Sequence, residues 1–73
     1  MDATKPLISI VIPIKNEAKR IPRLIEGLHK QTYRPLEVIF VDGGSTDGTT
    51  QLITEAAQRL NNKDFTIKLL KEE

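Results

Sequence analysis

Apolar positions along the chain follow two different periods. "LISIVIPI", from Leu7 to Ile14, is almost continuously apolar and rich in β-branched residues, broken only by Ser9 and Pro13. Such a run predicts a strand over about residues 7–14, covered on both faces as in a parallel sheet. Ile21, Leu24, Ile25 and Leu28 then recur at helical spacing, which predicts a helix over about 21–31 with Pro22 in its first turn. "TYRP" (Thr32 to Pro35) breaks that helix, and "LEVIFV" predicts a second strand over about 36–41. Leu52, Ile53, Ala56, Ala57 and Leu60 mark a second amphipathic helix over about 48–60, with Asp47 as the expected N-cap. "FTIKLL" alternates apolar and polar, as an edge strand over about 65–70 would.

The resulting order is strand, helix, strand, helix, strand. Helical crossovers between short loops imply parallel strands joined by right-handed connections. The expected fold is therefore α/β: a three-layer βαβαβ half-Rossmann unit with a parallel three-stranded sheet in the order 3-2-1. Ligands of such sheets lie beyond the carboxyl ends of the strands. The loops Pro13 to Arg20 and Asp42 to Gly48 share that edge and are expected to face each other across a shallow cleft.

Composition narrows the classes. At 73 residues the chain is one small domain, and its 38% hydrophobic and 29% charged content is that of an ordinary globular protein. The net charge of +1 gives no reason to expect nucleic acid or an anionic membrane as a partner. Without cysteine, disulfides and thiolate metal sites are excluded. No leader pattern opens the chain, and its apolar runs fall short of the roughly 20 residues a membrane span needs. The expected location is cytoplasmic.

"FVDGGSTDGT" (Phe40 to Thr49) holds the most pointed chemistry. Gly43, Gly44 and Gly48 permit close backbone approach. Yet no lysine or arginine lies between Asp42 and Leu52, and neither GxxxxGK[ST] nor GxGxxG occurs, so a phosphate-cradling loop is excluded. Ser45 and Asp47 read as residues that shape the turn and open the helix. Asp42, further upstream at the strand's end, is suited to accept a hydrogen bond from a nucleobase or sugar hydroxyl, or to support a metal. The other loop offers Lys15, Asn16, Glu17, Lys19 and Arg20 as a charged rim.

Taken together, "ISIVIPIKNEAKRIPRLIEGLHKQTYRPLEVIFVDGGSTDGT" resembles the amino-terminal part of family-2 inverting glycosyltransferases of the GT-A fold. The matching features are P-x-x-N-E at Pro13 to Glu17, Q-T-Y at Gln31 to Tyr33, and V-D-G-G-S-T-D-G-T from Val41 to Thr49. The resemblance implies a nucleotide-sugar donor of the UDP or GDP type and an acceptor hydroxyl. It makes Pro13, Lys15, Glu17 and Asp42 the expected nucleotide-binding residues, and Gly43, Gly44, Ser45 and Asp47 the loop-shaping ones. Two positions depart from the family's pattern. An aromatic is common where Lys15 stands, so stacking on the base is lost or replaced by a charged contact. A second aspartate is common where Gly43 stands.

For a complete member the resemblance implies inverting displacement, with a carboxylate base and a donor-bound Mg or Mn ion. The family's D-x-D metal motif and its base follow later in the chain, and D-x-D occurs nowhere here. Residues 1–73 are thus expected to be a single truncated nucleotide-sugar-binding subdomain, without metal or catalytic residues and inactive alone. The alternative is a small non-enzymatic α/β interaction module, a homodimer through the exposed edge of the first strand.

Overall fold

The computed structural model describes residues 5–72; Met1 to Thr4 and Glu73, part of the expected subdomain 1–73, lie outside the described residues. Its elements are β1 (Ile8–Ile14), α1 (Ile21–Lys30), β2 (Leu36–Asp42), α2 (Thr49–Leu60) and β3 (Phe65–Lys71). The strands form one sheet in the order β1-β2-β3. Both pairings are parallel, with Ile14 beside Asp42 and Asp42 beside Lys71 at the carboxyl end. This is the α/β half-Rossmann topology and the strand order that the periodicity predicts.

The register separates the two sheet faces. Ile10, Val38 and Ile67 form one row, Ile12, Phe40 and Leu69 the next. These rows pack with Ile21 and Ile25 of α1 and with Ile53 and Ala56 of α2 in a single core. Phe40, Val38, Ile53 and Phe65 are wholly inaccessible there.

The opposite face carries Val11, Ile39 and Lys68 in one row and Pro13, Val41 and Leu70 in another. Val11 is 60% exposed and Leu70 55%. Among the described residues the unit therefore has two layers, and the expected third layer is not there. Nor is β1 covered on both faces as its apolar run suggests. The physical reason is topological. Both crossovers step the same way across the sheet, so connections of one hand leave both helices on one side.

Polar groups on the open face pair with each other. Ser9 Oγ donates to Glu37 Oε1 at 2.6 Å, and Lys68 Nζ sits 2.6 Å from Glu37 Oε2. The Lys68 contact first, and the Ser9 bond second, hold the Glu37 carboxyl below the ordinary carboxylate range.

Helix ends are settled by neighbours in the chain. The Arg20 and Ile21 N–H groups both donate to the Glu17 carbonyl, at 2.9 and 3.0 Å, where α1 begins. At its other end the Arg34 guanidinium donates to the carbonyls of His29, Gln31 and Tyr33 and lies 4.9 Å from the centre of the Phe65 ring. Cations at a helix C-terminus answer its unpaired carbonyls. Gly27, inside α1, would meet nothing within 4 Å if it carried a Cβ, so close packing does not explain it.

Candidate functional site

The loop after β2 folds around its own aspartate. Asp42 Oδ2 accepts the backbone N–H groups of Gly44 and Ser45, both at 3.0 Å, and the Ser45 hydroxyl donates to Oδ1. Gly44 has φ 105°, a backbone conformation that only glycine adopts without strain. Asp42 is 3% exposed. The Ser45 hydroxyl, then the Ser45 and Gly44 N–H groups, hold its carboxyl below the ordinary range against the opposing effect of burial.

The loop after β1 is fastened directly onto this one. Asn16 N–H donates to Ser45 Oγ at 2.8 Å, so the hydroxyl that serves Asp42 also accepts from the neighbouring loop. Glu17 N–H donates to Thr49 Oγ1 at 2.9 Å, and that hydroxyl in turn donates to Asp47 Oδ1. These are two relays of the same design: backbone N–H to hydroxyl to carboxylate. Ala18 N–H donates to Asp47 Oδ2 at 3.2 Å, and Thr46 N–H donates to Asn16 Oδ1 at 2.8 Å. Asn16 adopts φ 52°, a left-handed conformation that asparagine tolerates better than most residues.

Two expectations are corrected here. The loops do not face each other across an open cleft; they are stitched into one body, beside which a hollow of about 410 Å³ is lined by Asn16, Glu17, Lys19, Arg20 and Asp47. Asp47 is not the N-cap of α2. Gly48 holds that position with φ 92° and no side-chain cap bond. Asp47 still accepts the Thr49 N–H at 3.1 Å, and the Thr49 hydroxyl is the main cause of its lowered pKa.

The expected nucleotide-binding residues separate into two groups. Pro13 and Lys15 are exposed, and a Cβ built on Gly43 would sit 4.0 Å from both Cβ and Cδ of Lys15. These three meet at the carboxyl edge of the sheet. Glu17 is half-buried, with its carboxylate 3.7 Å from Arg20 Nε. Asp42 is turned into its own loop, so a ligand could reach its carboxylate only by opening that turn. Gly43 donates its N–H to the Ile14 carbonyl at 2.9 Å, and Gly44, Ser45 and Asp47 take the places described above. Asn16 and Thr49 lie within the quoted motifs, but the sequence assigned neither a part in joining the loops. The signal for Asn16 was an asparagine just after a strand, opening a strand-to-helix turn; for Thr49 it was a hydroxyl directly after an Asp-Gly pair.

A divalent metal does not fit this donor set. The carboxylates of Asp42 and Asp47 already accept bonds from their own loops, and among the described residues no three His, Asp or Glu side chains group together. No described helix is long and apolar enough to cross a membrane.

A parallel sheet whose carboxyl-end loops are fixed side by side defines an α/β half-Rossmann unit, and the edge those loops share is where ligands of such sheets lie. Residues 9–73 match Glycosyl transferase family 2, and the chain belongs to that family. It is 34% identical over 70 residues to "Glycosyltransferase AglE" of Haloferax volcanii, covering 93% of this chain and 23% of that protein. It is 46% identical over 46 residues to "Glycosyltransferase GlyG" of Streptococcus pneumoniae, covering 63% of this chain and 15% of that one. The undecaprenyl-phosphate 4-deoxy-4-formamido-L-arabinose transferase of Serratia proteamaculans is 38% identical over 64 residues, covering 81% of this chain and 20% of that protein. The chain thus spans about a fifth of the length of these relatives. No solved structure matches significantly.

Proposed function

We propose that the joined loops bind the nucleoside diphosphate part of an NDP-sugar, of the UDP or GDP type, whose sugar a glycosyltransferase passes to an acceptor hydroxyl. One observation carries this reading: Lys15 lies across Gly43, beside exposed Pro13, on a carboxyl edge whose two loops are joined by hydrogen bonds. A rigid edge leaves those side chains free for a ligand, and Gly43 leaves room for close approach. Lys15 would meet the polar or anionic part of the nucleotide, and Glu17 would accept a bond from a ribose hydroxyl. Asp42 enters through the backbone it fixes, since its burial argues against the direct base contact expected from sequence. The Mg or Mn ion that the family implies finds no donor set here, so the reading gives this chain the nucleoside and not the metal. It includes a cytoplasmic location, and no sugar transfer by the 73-residue chain alone.

Amide shifts during titration with UDP and with GDP, with and without Mg²⁺, test the reading. Shifts centred on Lys15, Asn16, Gly43 and Gly44 at millimolar nucleotide are expected; none at those amides overturns it. Sugar transfer by the isolated chain would overturn the claim of inactivity.

The edge position of β1, with Ile8 43% exposed, favours a second reading: an interaction module that self-associates by strand pairing. Sedimentation of a monomer at high concentration removes it.

A further inference from the structure

The net charge of +1 hides a separation of charge. Between Lys15 and Lys30, the basic residues Lys15, Lys19, Arg20, Arg23 and Lys30 face only Glu17 and Glu26. Glu17 pairs with Arg20 and Glu26 with Lys30; among the described residues no carboxylate lies within 4.0 Å of Lys15, Lys19 or Arg23. From Asp42 to Glu55, by contrast, the acids Asp42, Asp47 and Glu55 have no basic residue among them.

The basic group sits where helix electrostatics disfavours it. A helix N-terminus is stabilised by acidic residues, yet the first turn of α1 has none and is flanked by Lys19, Arg20 and Arg23. Folding alone gives no reason for this arrangement. The terminus offers few backbone donors to an anion, because the Arg20 and Ile21 N–H groups already donate to Glu17 and Pro22 has none.

Lys19, Arg20, Arg23 and Leu24 share one side of the helix start and line an open hollow of about 630 Å³. All are exposed, and Leu24, 36% exposed, adds an apolar contact. A single phosphate group is held by convergent, enclosed donors; these side chains are exposed around an open hollow and suit an extended negative surface. A single-stranded nucleic acid would call for aromatic platforms. Phe40 and Phe65 are buried in the core, and the Tyr33 hydroxyl is bonded to the Pro6 carbonyl.

We infer that this outer side of α1 docks on an anionic lipid surface, with Lys19, Arg20 and Arg23 over the headgroups and Leu24 at their apolar boundary. The inference does not depend on the nucleotide reading. Docking in this way would bring the joined loops close to the membrane plane.

Co-sedimentation of the full chain with phosphatidylcholine vesicles, with and without phosphatidylglycerol, tests it. Association is expected only with the phosphatidylglycerol vesicles, and raised salt should reverse it. Lys19→Glu with Arg23→Glu should weaken association by roughly tenfold or more. Those acids suit the helix terminus, so lost folding would not explain the result. Leu24→Ser should weaken vesicle association several-fold while leaving its salt dependence in place. Nucleotide-induced amide shifts should be the same in Leu24→Ser as in the parent, because Leu24 lies outside the joined loops. The inference is overturned by no association with phosphatidylglycerol vesicles, by equal association of the double variant, or by tighter binding of single-stranded RNA than of vesicles.

Discussion

The two loops at the carboxyl edge contribute to their junction in opposite ways. The loop after β1 gives mainly backbone: the N–H groups of Asn16, Glu17 and Ala18. The loop after β2 gives mainly side chains: Ser45 Oγ, Thr49 Oγ1 and Asp47 Oδ2. Asn16 is the exception, because its side chain accepts from the Thr46 backbone. The difference teaches where function can reside. Side chains of the second loop are occupied by architecture, whereas Lys15 and Lys19 in the first are held at a fixed backbone yet remain free. The sequence named Pro13, Lys15 and Glu17 at the first loop and Asp42 at the second. Of these the structure buries Asp42 and leaves Pro13 and Lys15 exposed.

The comparison breaks most visibly at Thr49, which is wholly buried. Thr49→Val keeps the shape but removes the hydroxyl between Glu17 and Asp47, and should lower stability by about 1–3 kcal/mol in urea unfolding. Stability unchanged from the parent would mean that the loops stay joined without that relay. Asn16→Gly comes next. It keeps the left-handed backbone and removes only the acceptor for Thr46, so a loss of about 1 kcal/mol is expected, with faster hydrogen exchange at the Thr46 amide.

Acid should act on the same junction. The carboxyls of Asp42 and Asp47 are held low by the hydroxyls of Ser45 and Thr49, so they favour the folded state when ionised. A lowered folded pKa contributes stability that is present above the ordinary carboxylate range and is lost as pH falls through the folded value. Unfolding free energy should therefore decline from about pH 5 towards pH 3. The decline should be shallower in Ser45→Ala and Thr49→Val; equal slopes would contradict the relay as the cause.

The smallest structural effect belongs to the first loop's free side chains. Lys15→Ala should leave stability within about 0.5 kcal/mol while reducing the nucleotide-induced shifts at Gly43 and Gly44. A marked loss of stability with unchanged shifts would reverse the assignment of free and occupied side chains.

Much of this molecule was legible before its coordinates. Helical spacing at Ile21, Leu24, Ile25 and Leu28, and alternation at Phe65 to Leu70, are local patterns that mark α1 and β3 directly. Short connections then leave few topologies, so the parallel order followed. The family followed from motifs that lie in sequence, Pro13 to Glu17 and Val41 to Thr49. The candidate site was half legible: its loops were found, but the roles of Asp42 and Asn16 within them were not.

What the sequence determined by itself, then, was the succession of elements, their parallel pairing and the family, because periodicity, turn chemistry and short loops act between neighbours in the chain. Only the tertiary structure decided that both helices cover one face, that Val11 and Leu70 lie open, that Asp42 is turned inward, and that Asn16 ties the loops together. The bonds that join the loops link residues about thirty positions apart, such as Asn16 with Ser45 and Glu17 with Thr49. No local pattern encodes which hydroxyl will meet which N–H across that distance; the register of β1 against β2 does.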